Sequence, residues 1–169
     1  MDREESSTLV SANGTPPSEV QSPIALYEFA PYLLNQVTNR VNQRMQQHLR
    51  RHKVSVPQWR VLCLLTVNGP QSIGTIVANT VIAQSTLSRV ADQLERRRLV
   101  ERKSRPSNNR IVEVHLTRYG RSLFDQLLPA ALSVRDELVA VLSDVEKKQF
   151  VRILRKLLSG LCNEPAGHA

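Results

Sequence analysis

Between Gln84 and Arg110 the chain gathers side chains suited to binding rather than to bond making. Gln84, Ser85, Thr86, Ser88 and Arg89 offer amide, hydroxyl and guanidinium groups, which match the donors and acceptors of nucleobase edges and phosphates. Just beyond them, Arg102, Lys103, Arg105, Asn108 and Arg110 crowd a second short stretch, as a phosphate-facing tip would require. From Gln84 to Arg110 there are eight Lys/Arg against three Asp/Glu. Catalytic chemistry finds little to work with: there is no glycine-rich phosphate loop, no acid pair in a cleft motif, and no nucleophile with a histidine placed by motif. His48, His52, His115 and His168 show no ligand spacing with one another or with Cys63 and Cys162, so neither a metal nor another cofactor is expected.

These residues need rigid carriers. Leu87, Val90, Ala91 and Leu94 recur at helical spacing, which predicts a helix from about Gln84 to Arg97 with its polar residues outward. Ser72 is placed to cap a shorter helix reaching about Asn79. Leu99–Val100 and Ile111–Leu116 flank a basic loop from Arg102 to Arg110, as two strands flank a hairpin. The fold class read from this order is mostly α with a small β-hairpin: a winged helix-turn-helix domain over 55–117. Its second helix opens at Pro57, carries Trp59, Leu62, Cys63 and Leu65, and stops at Asn68-Gly69-Pro70. Cys63 reads there as a buried core thiol rather than a redox sensor.

The flanking segments are helical as well. Over 27–54, Leu33, Val37, Val41, Met45 and Leu49 follow every four residues, with Pro31 in the first turn. Over 118–161, Thr117 caps a long helix that Pro129 should kink, and Ser143 to Glu146 forms a capping box for a last helix carrying Phe150, Ile153, Leu154, Leu157 and Leu161, with Gly160 at its end. Such long apolar stripes exceed what a small winged domain covers. A helical dimerisation region built from the N- and C-terminal helices of two copies answers that, and presents two reading heads to double-stranded DNA.

The formal charge is +8, yet residues 1–26 hold one basic and four acidic residues, so the rest of the chain carries about +11. That segment is poor in large apolar residues and is expected to be a disordered tail, and 162–169 a flexible one. No apolar run approaches a membrane span, and two cysteines far apart fit a reducing cytoplasm. A basic helical RNA-binding or nucleoid-structuring protein without an effector would share much of this composition; sequence specificity at moderate salt separates the two.

Gln84-Ser85-Thr86-Leu87-Ser88-Arg89-Val90-Ala91-Asp92-Gln93-Leu94-Glu95, then Leu99-Val100-Glu101-Arg102, then Leu116-Thr117-Arg118-Tyr119-Gly120, resemble in combination the MarR family of bacterial transcription regulators. The resemblance runs from about Tyr27 to Leu161. It implies a homodimeric repressor on a palindromic operator, with recognition helices in the major groove and wings near the minor groove. By the same resemblance Gln84, Ser85, Thr86, Ser88 and Arg89 fall on the reading segment and Arg110 on the wing arginine. Asn108 stands where relatives carry the acid that braces that arginine, and Arg98 where many carry glycine. The resemblance also implies a small effector, an aromatic acid or its coenzyme A thioester, between the dimerisation helices and the winged domain. Arg40, Arg44, His48 and Trp59 are the residues that could meet such an anionic aromatic ligand. The oxidation-sensing branch's cysteine near the start of the first helix is absent from Tyr27 to Tyr32.

Overall fold

The computed structural model describes residues 28–80, 82–105 and 108–162, and side chains within these except those of 108–110 and 162. The expected tail at 1–26 and residues 163–169 of the one expected at 162–169 lie outside the described residues, while Cys162 belongs to the last helix. Two compact units divide at Gln36. The described part of the first is the opening of helix α1, Ala30–Arg50, where Phe29 caps the first turn by accepting from the N–H groups of Tyr32 and Leu33. Gln36 Nε2 donates to the Tyr32 hydroxyl one turn back at 2.8 Å.

The second unit holds the remaining elements in the order α2 Val56–Asn68, β1 Gln71–Ser72, α3 Ile73–Asn79, α4 Gln84–Arg96, β2 Val100–Arg105, β3 Asn108–Leu116, α5 Arg118–Val139 and α6 Asp144–Cys162. The predicted hairpin is there, but it belongs to a three-stranded antiparallel sheet of order β1-β3-β2, in which Gln71 pairs with Val114 and Ser72 with Glu113. A strand of two residues has no alternation to read, so the third strand leaves no sequence signal. The predicted loop also shortens. Arg102, Lys103 and Arg105 lie in β2 and pair across to β3, with an irregularity between Ser104 and Arg105, and only 106–107 separate the strands. The α5 helix continues through Pro129, and α6 passes Gly160 to reach Cys162, so the expected stop at that glycine is not a stop. Nothing packs within van der Waals distance of a Cβ built on Gly160, consistent with an ordinary exposed helical position.

One core serves the winged part. Leu62, Ile76, Leu87, Leu94, Leu99, Val100 and Val114 are essentially inaccessible, and Met45 and Leu49 of α1 with Leu123, Phe124, Leu127 and Val134 of α5 complete the cluster. At the start of α2, Ser55 and Gln58 form a reciprocal capping box, and Gln58, the one buried polar side chain among the described residues, donates from Nε2 to Gln93 Oε1 on α4 at 2.9 Å. In contrast, none of the described side chains of α6 is buried: Ile153 is 52 % exposed, Leu158 63 % and Leu161 74 %.

Two helices end in the same way without glycine. After α4, Leu99 N–H bonds the Leu94 carbonyl and Arg98 N–H the Glu95 carbonyl, with Arg98 at φ 57°. After α1, Val54 N–H bonds Leu49 and Lys53 N–H bonds Arg50, with Lys53 at φ 53°. Both are the six-to-one closure of a helix by a left-handed residue, and the residue following each is buried against the core. Arg97 joins the two ends by donating to the Lys53 carbonyl at 2.6 Å and the His52 carbonyl at 3.0 Å.

The turn after Arg98 is also where α5 attaches. Thr117 N–H donates to the Leu99 carbonyl, its hydroxyl lies 2.7 Å from the Arg98 carbonyl and 3.1 Å from that of Leu99, and the same oxygen accepts from Gly120 N–H at 3.0 Å. A Cβ on Gly120 would be driven into the Leu99 carbonyl and would lie 2.8 Å from Leu116 Cδ1, so the Leu-Thr-x-x-Gly spacing is a packing requirement. Gly120→Ala should therefore destabilise the fold by about 2 kcal/mol or more, whereas Arg98→Gly should stabilise it by up to about 1 kcal/mol by relieving the left-handed strain. Equilibrium urea unfolding of the two variants checks both signs.

Candidate nucleic-acid interface

The α4 helix turns Leu87, Val90, Ala91 and Leu94 into the core, and that fixes what faces out. Gln84, Ser85, Thr86, Ser88 and Arg89 are all exposed on its N-terminal half, so the residues predicted to read bases do share one accessible face. Ala83 at the N-cap provides no side-chain oxygen. The first-turn N–H groups of α4 are thereby left to solvent or to an incoming acceptor such as a phosphate. Arg89 and Arg96 have no carboxylate partner among the described residues.

The wing cations are placed differently from the sequence expectation of free phosphate ligands. Arg102 reaches back to the recognition helix, donating to Asp92 Oδ1 at 2.6 Å and Glu95 Oε2 at 2.9 Å, while its backbone N–H donates to Glu95 Oε1 at 3.1 Å. Its guanidinium is thus occupied in bracing strand to helix. Asp92 and Glu95 lie one helical turn apart, so a planar fork can engage both. Lys103 pairs with Glu101 at 2.6 Å and Arg105 with Glu113 at 2.7 Å. The Lys103 pair is well exposed, and such a lysine exchanges its carboxylate for a phosphate at little cost. Asn108 and Arg110 are in β3, but their side chains, and with them the question of an Asn108–Arg110 brace, lie outside the described residues.

The four effector candidates fall into two groups. Trp59 is a core residue, its ring stacked on Phe124 with centroids 5.1 Å apart and planes 9° from parallel. Arg40, Arg44 and His48 stand at four-residue steps on the exposed side of α1, and Arg44 pairs with Glu137 at 3.2 Å. A cleft of about 780 Å³ opens instead among α1, α2 and the end of α3, lined by Thr38, Asn42, Arg60, Cys63, Leu64 and Val67 and bounded by Asn79 and Thr80. Arg60 donates to Asn42 Oδ1 at 3.2 Å across it. Spacing puts Arg60, Leu64 and Val67 on one face of α2 and Thr38 and Asn42 on one face of α1, but nothing local brings those two faces together.

Cys63 is half-buried in that cleft wall rather than sealed in the core. Burial pushes its thiol up to about 12, against a smaller opposing effect of a backbone hydrogen bond, so it stays protonated at neutral pH and is a poor nucleophile. Among the described residues no group of His, Cys, Asp and Glu could hold a metal ion, and no helix is long and apolar enough to cross a membrane.

Comparison with known proteins agrees with this arrangement. The profile described as the MarR family matches residues 54–112, from just after α1 into β3. Among solved structures, BpsR of Bordetella bronchiseptica, whose DNA binding is described as regulated by 6-hydroxynicotinic acid, is 30 % identical with a TM-score of 0.73, over 80 % of this chain and 97 % of that one. A MarR family regulator from Silicibacter pomeroyi is 29 % identical with a TM-score of 0.78, over 88 % of this chain and 100 % of that one. The repressor NicR of Pseudomonas putida is 28 % identical over 86 % of this chain and 91 % of its own length. The helix-turn-helix, the wing, and the threonine and glycine that lock them to α5 make this chain a member of the MarR family of DNA-binding transcriptional regulators.

Proposed function

We propose that the protein is a dimeric repressor that reads a palindromic operator through α4 and is released from it by a small anionic aromatic effector. The observation that carries the reading is the face formed by Gln84, Ser85, Thr86, Ser88 and Arg89, whose exposure follows from the burial of Leu87, Val90 and Leu94 behind it. Dimerisation is supported by α6, which carries Ile153, Leu157 and Leu161 yet buries none of its described side chains in a single chain. A second copy covers that surface and sets two recognition helices at the spacing of adjacent major grooves. The effector reading is supported by the cleft at Arg60, which joins one cation, several amide and hydroxyl groups, and an apolar wall at Leu64 and Val67. That combination suits a flat ligand with one negative charge and a hydrogen-bonding substituent. BpsR responds to such a molecule. Asn79 and Thr80 border the cleft directly before α4, so a ligand there bears on the turn that aims the recognition helix.

Arg89→Ala should lose roughly 1–3 kcal/mol of discrimination between operator and random DNA. Arg102→Met should weaken both through a loosened wing while leaving the log–log salt slope nearly unchanged, where a lost phosphate contact lowers it by about 0.9. Titrations on both DNAs over a range of salt decide the two assignments. Leu157→Glu should yield a monomer by light scattering with no tight operator binding. 6-Hydroxynicotinic acid, or benzoic acids carrying one hydroxyl, should release the operator complex of the wild type but not that of Arg60→Gln; equal release from both places the effector elsewhere.

A further inference from the structure

Gln58 of α2 is 7 % exposed, and both ends of its amide are in use. Its Oε1 accepts from the Ser55 N–H at 3.0 Å, which ties it to the segment between α1 and α2, and its Nε2 donates to Gln93 Oε1 on α4 at 2.9 Å. One turn further along α4, Arg97 donates to the carbonyls of His52 and Lys53 in that same segment. On the other side, Gln46 of α1 donates from Nε2 to the Val54 carbonyl at 3.3 Å and accepts at Oε1 from the Val56 N–H at 3.4 Å. The α4 helix is thus fastened at two points, four residues apart, to a segment that is itself anchored to α1.

The other contacts that hold α4 have less direction. Leu87, Val90, Ala91 and Leu94 are buried by apolar contact, which tolerates small slides and rolls of a helix. The ion pairs of Arg102 with Asp92 and Glu95 on the wing side are partly exposed and therefore yielding. The Gln58 end of the bridge is shielded from water; its hydrogen bond is directional and short in reach, and breaking it strands a buried donor. Gln84 to Arg89 lie ahead of Gln93 on the same rod. With about 1.5 Å of rise per residue, a tilt of roughly 10° at Gln93 displaces Gln84 by about 2 Å, enough to break a base contact.

We propose that Gln58 and Gln93 are positioning residues for DNA recognition: the hydrogen bond between them sets the tilt of α4, and through it the alignment of Gln84, Ser85, Thr86, Ser88 and Arg89 with the bases, given the reading above that α4 carries base recognition. Gln58 is buried and cannot itself reach DNA, so its effect on readout passes through Gln93.

The duplex that the wild type binds most tightly, selected from a random oligonucleotide pool, is compared with a scrambled duplex of the same composition, and the melting temperature of each variant is recorded. Gln58→Leu and Gln93→Leu should each lower the selected-to-scrambled affinity ratio about five- to tenfold, the worth of one weakened base contact. The double variant should lose no more than either single, since one bond is removed only once. Gln93→Glu, which keeps an oxygen for the Gln58 amide, should hold the ratio near that of the wild type even as its charge weakens binding to both duplexes. Ser55→Ala, which strips the cap of α2 but not the bridge, should lower the melting temperature and leave the ratio in place. An unchanged ratio in folded Gln58→Leu overturns the proposal, and so do losses that add in the double variant, which make Gln93 a DNA contact in its own right. If Gln58→Leu does not fold, Gln93→Leu and Gln93→Glu decide, and equal losses in the two refute the bridge. A ratio that Arg89→Ala fails to lower removes α4 as the base reader, whereas a loss in Arg89→Ala with none in Gln58→Leu removes the bridge alone.

Discussion

The left-handed turn at Arg98 and the hydrogen bonds that close on it hold the parts of this protein in relation. A helix that stops with Leu99 N–H bonded to Leu94 must send the chain away at a fixed angle, and that angle launches β2. Thr117 then returns from β3 to the same two carbonyls, Arg98 and Leu99, and starts α5 from there. Recognition helix, wing and the long helix beyond are therefore referenced to one peptide segment. The absence of a side chain at Gly120 is what allows α5 to approach the Leu99 carbonyl, and the left-handed arginine is tolerated because Leu94 and Leu99 are both buried beneath it.

Charge is distributed in keeping with that geometry. The α4 helix carries Asp92 and Glu95, which in isolation would repel a polyanion, and Arg102 at the root of the wing engages both. One arginine thus offsets one of these two negative charges and fixes the wing to the helix. Arg89 and Arg96, the two cations of α4, have no carboxylate partner among the described residues. Arg97 serves the other end of the helix, where it satisfies the carbonyls of His52 and Lys53. Arg97 thereby ties the end of α1 to the end of α4, and Thr38 and Asn42 of the same α1 line the cleft at Arg60.

The residues that form elements were legible because they form them locally. Ser72, Thr117 and Ser143 cap α3, α5 and α6 through their own side chains, and each announces itself three residues ahead of its partner. The family resemblance marked Arg98 as a position where many relatives carry glycine, and its φ of 57° agrees. The wing was seen as a hairpin but drawn with too long a loop, since Arg102, Lys103 and Arg105 look like loop residues by type and become strand residues by pairing with β3.

What the sequence determined by itself was the order of helices, the hairpin and the outward polar face of α4, because periodicity and capping depend on neighbours three or four positions away. What only the tertiary structure decided was which side chains remain available. Arg102 is taken up by Asp92 and Glu95 ten and seven positions behind it, and Trp59 is drawn into the core by Phe124 far along the chain. The cleft at Arg60 arises from two helices and a turn that no local pattern relates. An ion pair or a cavity wall depends on distances between segments, and spacing along the chain does not encode those until packing has set them.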